Sequence, residues 1–100
     1  MKDSLERLNP VFENRLRLAI MSVLAVNDSM DFNALKEYLD ATDGNLATHL
    51  ATLEKNRYLS VTKKFVGKKP RTSYEVTAAG KKAFEHHLAA LEELIKEMKT

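Results

Sequence analysis

The chain has 100 residues, 44% of them hydrophobic and 30% charged, with a net charge of +2 and no cysteine. This composition is typical of one compact domain, here residues 1–100, rather than of a disordered segment, and the lack of cysteine excludes disulfides, zinc knuckles and thiol chemistry. The first turns are charged and no apolar run approaches the roughly 18 residues of a membrane span, so we expect no signal peptide, no membrane association and a cytoplasmic location.

The first long helix is predicted to begin at Pro10. Asn9 is a suitable N-cap, and proline is favoured at the first helical position because the donor that it lacks would have no partner there. Five apolar residues recur at helical spacing and are expected in the core: Leu16, Ala19, Ile20, Val23 and Leu24. After a turn, a short second helix is predicted over 33–40, and its inward side chains are expected to be Leu35, Tyr38 and Leu39.

A third helix is predicted over 44–56, with Thr42 or Asp43 as its cap. Its buried stripe consists of three leucines: Leu46, Leu50 and Leu53. At 100° per residue, the opposite side is small and polar, with no acidic side chain, and carries Gly44, Thr48, Ala51, Thr52 and Lys55, with Asn45 and His49 on one flank. The alternative is a plain solvated face, but such faces usually carry Glu–Lys pairs four residues apart.

That face favours insertion into the major groove of DNA, because it has neither bulk nor negative charge. Asn45, Thr48 and Thr52 are candidates for contact with base edges, and Lys55 for contact with a phosphate.

The segment after the third helix predicts an antiparallel β-hairpin. Leu59, Val61 and Phe65 alternate with polar residues in its first strand. "GKKPRT" is the predicted turn and "SYEV" the second strand, while an extended segment near residues 30–32 is a candidate for a third strand.

Positive charge is concentrated in and around this hairpin. Residues 55–82 contain nine lysines and arginines against one acid, Glu75, a net of +8, which leaves −6 for the rest of a chain whose total is +2. Such an asymmetry is typical of a face that binds a polyanion. The alternative is a lysine-rich edge that blocks association between sheets, but one or two lysines suffice for that.

We therefore interpret residues 63–74 as a DNA-binding wing. Arg71 at its tip would enter the narrow minor groove, with Lys68 and Lys69 on the flanking phosphates. The remaining candidates for phosphate contact are Lys63, Lys64, Thr72 and Ser73.

A long last helix is predicted over 77–98, capped by Thr77. A helix of about 22 residues spans about 33 Å, which is more than the width of so small a core, and its apolar residues follow a heptad seam. We expect a homodimer formed by both termini, with the interface Leu5, Leu8, Phe84, Leu88, Leu91, Leu94, Ile95 and Met98. The alternative is an intramolecular stripe that packs on the first helix.

The predicted fold is mainly α with a small antiparallel β-hairpin. Its order is that of a winged helix-turn-helix, with the helices and wing over 10–76 and a C-terminal dimerisation helix over 77–98. The stretch "DGNLATHLATLEKNRYLSVTKKFVGKKPRTSYEVTAAGKKAF" resembles compact winged-helix transcriptional regulators related to the MarR and ArsR groups. The resemblance implies a homodimeric, sequence-specific regulator on a pseudo-palindromic operator of double-stranded DNA, with helix 44–56 in the major groove and the wing on the minor groove. The sequence departs from the family pattern at Asn56-Arg57, where a small residue and glycine often end the recognition helix.

Other classes of function find little support in the sequence. His86 and His87 are adjacent and point in different directions on a helix, so no metal site is expected; we expect both to be solvated or packed in the dimer, and His49 to bridge helices. The chain has no phosphate loop, no nucleophile beside a base and no carboxylate pair in a cleft, so we expect no enzyme and no cofactor. A small effector at the dimer interface has room, but no residue pattern identifies one.

The rival interpretation is a winged helix that binds proteins, with the basic wing on an acidic partner. Protein-binding faces usually present aromatic or aliphatic anchors. The outer face of the third helix has none, which favours DNA.

Overall fold

The computed structural model describes residues 1–99, and these form five α-helices and one three-stranded antiparallel sheet. The predicted order of three helices, a hairpin and a long last helix is confirmed, with a short additional helix at the N-terminus. The elements are α1 (Lys2–Glu6), a 3₁₀ turn (Pro10–Phe12), α2 (Arg15–Ala25), β1 (Met30–Asp31), α3 (Phe32–Leu39), α4 (Asp43–Lys55), β2 (Leu59–Val66), β3 (Lys69–Val76) and α5 (Ala78–Met98).

Two asparagine caps divide the segment in which one continuous helix was predicted. The side chain of Asn9 accepts a hydrogen bond from the Val11 N–H, which begins only the 3₁₀ turn. The Asn14 side chain then accepts from the Arg17 N–H at 3.0 Å and begins α2. The prediction of a helix that begins at Pro10 was therefore wrong, because the second cap starts the helix anew five residues later.

The core lies between α2, α3 and α4. The leucines of the third helix are buried as predicted, and Leu35 of α3 is fully buried as well. From α2, the fully or almost fully buried residues are Ile20, Met21 and Leu24, whereas Leu16, Ala19 and Val23 are only half-buried. The prediction that Tyr38 points inward was wrong, since its side chain is 72% exposed. On so short a helix only the side around Leu35 and Leu39 meets the core, and Tyr38 lies on its flank.

The sheet has the strand order β1-β3-β2, so the candidate third strand is confirmed. β1 pairs only with residues 73 and 74 of β3, and β2 pairs with β3 along its whole length, from Leu59 opposite Val76 to Val66 opposite Lys69. The turn is therefore the two residues Gly67-Lys68, not the six residues predicted. Gly67 has φ +66°, which suits a tight hairpin turn, and Pro70 is tolerated in β3 because β1 does not reach it.

One junction joins α4, the hairpin and α5. The Thr77 side chain accepts from the Gly80 N–H at 2.9 Å, which caps α5 as predicted, and donates to the Arg57 carbonyl at 2.7 Å. The Thr77 N–H also donates to the Tyr58 carbonyl at 3.0 Å. Arg57 takes the left-handed conformation, φ +63°, that glycine usually supplies at a helix end. The chain thus makes the turn of the family pattern without the glycine.

The N-terminal segment packs on α5 through His87, which is only 3% exposed. The Asn9 N–H donates to His87 Nδ1 at 2.9 Å, and the imidazole meets the Phe12 ring edge-on at 5.4 Å between centroids. His87 is therefore buried within its own chain, and the expectation that it is solvated or packed in a dimer was wrong. Its neighbour His86 is exposed, as expected.

Gly80 is expected to tolerate no side chain. A Cβ there would lie 2.2 Å from the Tyr58 carbonyl oxygen, whereas a Cβ at Gly44 would have no neighbour within 4 Å. We predict that Gly80→Ala lowers the free energy of unfolding by about 1–3 kcal/mol, although alanine is the better helix former. The matched control Gly44→Ala should raise it by up to about 1 kcal/mol. Urea unfolding measures both, and equal gains in stability would contradict the close approach.

The buried imidazole of His87 should make stability depend on pH. Burial lowers the pKa of His87 below its ordinary value of 6.5, and the carboxylate of Glu13 opposes this only in part. The unfolded chain therefore takes up a proton near pH 6.5 while the folded chain does so only at lower pH. We predict that the free energy of unfolding is constant above about pH 7 and falls as the pH drops below about 6.5.

The substitution His87→Gln keeps a hydrogen-bond acceptor but cannot titrate, so it should flatten this pH dependence. His86→Gln, on the exposed neighbour, should leave it intact. Urea midpoints between pH 5.5 and 7.5 measure the effect, and identical slopes for the two variants would exclude His87 as its source.

Candidate nucleic-acid interface

The helix α4 packs on the core through one side and is exposed to solvent on the other. Thr42 Oγ1 accepts from the Asn45 N–H at 3.2 Å and caps it, and three buried leucines hold it on the core. The opposite side faces solvent: Gly44, Asn45, Thr48, Ala51 and Lys55 are exposed and Thr52 is half-buried. The Thr52 hydroxyl donates to the Thr48 carbonyl at 3.2 Å. This face therefore offers amide and hydroxyl groups on a surface without acids.

The flank of α4 is locked to α2 by Arg17, which the sequence analysis did not single out. Arg17 Nε donates to the Val11 carbonyl at 2.6 Å, and Nη1 lies 2.9 Å from His49 Nδ1. Because a guanidinium can only donate, the imidazole accepts through Nδ1. His49 does bridge helices, as expected, and the contact sets the rotation of α4 on the core. A lone arginine in a helical pattern gives no sequence signal for such a role.

The strand register divides the wing, residues 63–74, into two faces, because directly opposed residues share a face. One face carries the pairs Lys64–Arg71 and Val66–Lys69, and the other carries Lys63–Thr72 and Phe65–Pro70. Lys68 lies in the turn. All five predicted cations of the wing are exposed, so the two faces and the tip are all basic.

Three of the predicted wing residues are placed differently from the expectation. Arg71 lies in β3 rather than at the tip, and its Nε is 3.5 Å from the Asp31 carboxylate. Thr72 and Ser73 are half-buried, and Ser73 has a strand on either side, opposite Thr62 and Asp31. The predicted six-residue turn misplaced Arg71 and Thr72 because it made the second strand too short, whereas Ser73 lies in that strand as predicted.

The Asp31 carboxylate is the acid nearest to Arg71 and also has a structural role. One of its oxygens accepts from the Ala34 N–H at 2.7 Å and caps α3. The other oxygen meets Arg71, whose side chain is 56% exposed. An ion pair this exposed contributes little stability, so Arg71 can exchange Asp31 for another anion at small cost.

The last helix has a core face and a solvent face. Phe84, His87 and Ala90 are buried, and Phe84 packs edge-on against Phe12 at 5.3 Å between centroids. Phe84 therefore belongs to the chain's own core, so its assignment to a dimer interface was wrong. The other predicted interface residues remain at least partly accessible: Leu8, Leu91 and Leu94 are half-buried, and Leu5, Leu88, Ile95 and Met98 are exposed.

The N-terminal helix α1 packs beside the end of α5. Ser4 is fully buried, and its hydroxyl donates to Glu97 Oε1 at 2.8 Å. The chain's amino group lies 2.9 Å from the other oxygen of Glu97. Hydrogen bonds from both groups lower the pKa of the Glu97 carboxyl. These contacts hold α1 against the C-terminal end of α5.

Residues 1–99 contain no group of three or more histidine, aspartate or glutamate side chains that could hold a metal ion. Over the same residues, no helix combines the length and the apolar composition that crossing a membrane requires.

Comparison with known proteins agrees with the fold. Residues 16–95 match the model of a family described as a winged helix DNA-binding domain. An uncharacterised protein of Methanocaldococcus jannaschii is 31% identical over 86 residues, which are 86% of this chain and 94% of that protein.

Solved structures of transcriptional regulators share the architecture. A transcriptional regulator homologue from Pyrococcus horikoshii OT3 superposes with a TM-score of 0.86 at 28% identity, over 99% of this chain and 96% of that one. A proposed MarR-family regulator from Porphyromonas gingivalis W83 has a TM-score of 0.66 at 20% identity, over 86% and 79% of the two chains. The second likeness concerns the fold alone.

Proposed function

Since the chain belongs to the winged helix DNA-binding domain family, we propose that it is a sequence-specific regulator of transcription that binds double-stranded DNA as a homodimer. In this proposal, residues 1–100 are one domain, 10–76 form the helix-turn-helix and wing, and 77–98 form the dimerisation helix. The observation that carries it is the pairing of an acid-free, small-residue face on α4 with a hairpin that bears five exposed cations.

The helix α4 is proposed to lie in the major groove. Apart from Lys55, its exposed face carries only glycine, alanine, threonine and asparagine. The backbone can therefore approach the bases closely. Asn45 can pair with the N6 and N7 groups of adenine, and Thr48 can donate to a base or touch a thymine methyl. Because the Thr52 hydroxyl already donates within the helix, Thr52 would act as an acceptor. Gly44 allows close approach at the N-terminus, and Lys55 would meet a phosphate.

The wing is proposed to contact the phosphates and the neighbouring minor groove. Cations on both of its faces suit a hairpin that lies between two negatively charged strands. Arg71 would leave Asp31 and enter the groove, with Lys64 and Lys69 beside it on the same face. Lys63 and Lys68 would contact phosphates on the other face and at the tip. Thr72 and Ser73, being half-buried, would contribute less.

The homodimer is proposed to form through the exposed stripe of α5 and Leu5 of α1. The helix has 21 residues, about 31 Å by its rise, whereas the two smaller dimensions of the chain are 25 and 21 Å. Leu88, Ile95 and Met98 are 44%, 52% and 68% exposed and recur on one side of α5, so they form an exposed apolar stripe. A two-fold dimer would bind a pseudo-palindromic site whose half-sites lie about one helical turn apart.

A second candidate is a protein-binding winged helix with an acidic partner on the wing. Nothing on α4 supports it, because the exposed face lacks the aromatic or aliphatic anchors of protein interfaces. DNA therefore explains both surfaces, and an acidic protein explains only the wing.

The DNA contact is testable through salt dependence. We predict that Lys68→Ala with Arg71→Ala weakens binding to a mixed-sequence duplex and lowers the slope of log K against log salt by about two, because two phosphate-neutralising cations are lost. Fluorescence anisotropy at several salt concentrations measures the slope. The matched control removes two exposed cations elsewhere, Lys2→Ala with Lys96→Ala, and should leave it unchanged.

Two results would contradict the proposal. If the wild type binds no duplex at low salt, the DNA-binding function is wrong. The next experiment would then use the hairpin to capture an acidic protein partner. If both double variants lower the slope equally, the chain binds DNA only through diffuse charge and the wing has no special role.

The dimer is testable by mass. We predict that Leu88→Glu with Ile95→Glu gives a monomer of 11.3 kDa where the wild type gives twice that mass, because two charges would be buried without partners in the interface. Sedimentation equilibrium measures the mass. His86→Glu, on the opposite flank of α5, should leave the dimer intact. A wild type that is already a monomer at micromolar concentration would contradict the assembly.

A further inference from the structure

The distal half of the wing carries an apolar cross-strand pair, Phe65 and Pro70, that no residue among 1–99 covers. Phe65 lies opposite Pro70 in the register and is 76% exposed, and the next residue, Val66, is 52% exposed. In the sequence, Phe65 continues the alternation of Leu59 and Val61. The structure places it outside the core, because the core ends before the hairpin does.

The place where the core ends is visible along the strands. Leu59 at the base of β2 is 2% exposed, and Val76 and Tyr74 of β3 pack on the core. From Lys63 outward every residue of β2 is exposed. Residues 62–66 therefore project by about 16 Å, at 3.3 Å per residue. The phenylalanine at the far end is exposed and does not pack on the core.

The residues around Phe65 and Pro70 indicate that a polyanion binds this apolar patch. The sequence neighbours of Phe65 within the hairpin include Lys63, Lys64 and Lys68, and the segment 62–71 contains no acid. A second copy of the chain is disfavoured, since β2 is an edge strand and lysines on an edge oppose strand addition. Phe65 and Pro70 therefore form a small apolar patch that is flanked by Lys63 on the same face and by Lys68 at the turn.

In double-stranded DNA, the minor groove offers apolar surface between the two phosphate backbones. The minor groove is about 6 Å wide and is walled by deoxyribose carbons, and apolar side chains of other proteins enter it as wedges. With α4 in the major groove, the neighbouring minor groove lies about half a turn away, roughly 17 Å. The hairpin extends beyond the core by a similar length, and in the proposal Phe65 and Pro70 lie at this groove while the lysines meet its edges.

We propose that Phe65, backed by Pro70, is a DNA-contacting residue that lays its ring against the wall of the minor groove. The proposal rests on the proposed function and adds a contact that cations do not make. A lysine contact releases counterions and disappears in salt, whereas an apolar contact has no such dependence. Phe65 holds the wing in the groove at salt concentrations where the lysines alone would release it.

The experiment compares Phe65→Ala, Phe65→Leu and Lys64→Ala by anisotropy with a mixed-sequence duplex at several salt concentrations. Phe65→Ala should raise the Kd about tenfold at every salt concentration without changing the salt slope. Phe65→Leu should recover most of the affinity, since it restores apolar area. Lys64→Ala, the neighbour on the other face, should lower the slope by about one. Val26→Ala is the matched control, an 82% exposed apolar residue at the end of α2, and should change neither quantity.

Thermal unfolding of each variant separates binding from folding, and Phe65→Ala should unfold with the wild type because Phe65 has no core contact. A Kd for Phe65→Ala within twofold of the wild type overturns the assignment while leaving the DNA-binding function intact. So does a fall in molecular mass on Phe65→Ala, which would make the patch an interface between copies. A wild type that binds no duplex overturns the assignment together with the proposed function.

Discussion

The arrangement of α4, the hairpin and α5 depends on the junction around Thr77. Its hydroxyl and N–H groups hold the backbone at Arg57 and Tyr58, while its side-chain oxygen caps α5. The end of α4, the base of the hairpin and the start of α5 therefore meet at one point. Gly80 lets α5 approach the Tyr58 carbonyl more closely than any other residue could. The directions of α4, the hairpin and α5 are fixed there together.

The Arg57 conformation shows how the junction is made without glycine. A left-handed residue costs about 1–2 kcal/mol when it has a Cβ, and here the cost is offset by hydrogen bonds on both sides. The Arg57 N–H donates to the Glu54 carbonyl at 2.8 Å, and the Tyr58 N–H donates to the Leu53 carbonyl at 3.0 Å. These bonds satisfy carbonyls at the end of α4, which is the usual purpose of a helix-terminating glycine.

The hydrophobic core and the concentrated positive charge lie in different parts of the molecule. The fully buried side chains lie beneath α4 and beside α2 and α5, whereas the hairpin beyond Val61 is outside the core. Like charges can gather on the wing because it is solvated on both faces and carries little of the packing. The same separation leaves Phe65 and the stripe of Leu88 and Ile95 exposed to water.

The sequence by itself determined the element order, the buried leucines of α4, the acid-free face opposite them and the concentration of cations on the hairpin. These features follow from local spacing and composition, which the chain carries in any environment. Only the tertiary structure decided the burial of His87, the exposure of Tyr38 and Phe65 and the pairing of Arg71 with Asp31. Periodicity states which residues share a face of a helix or strand, but whether another element covers that face depends on where distant segments pack.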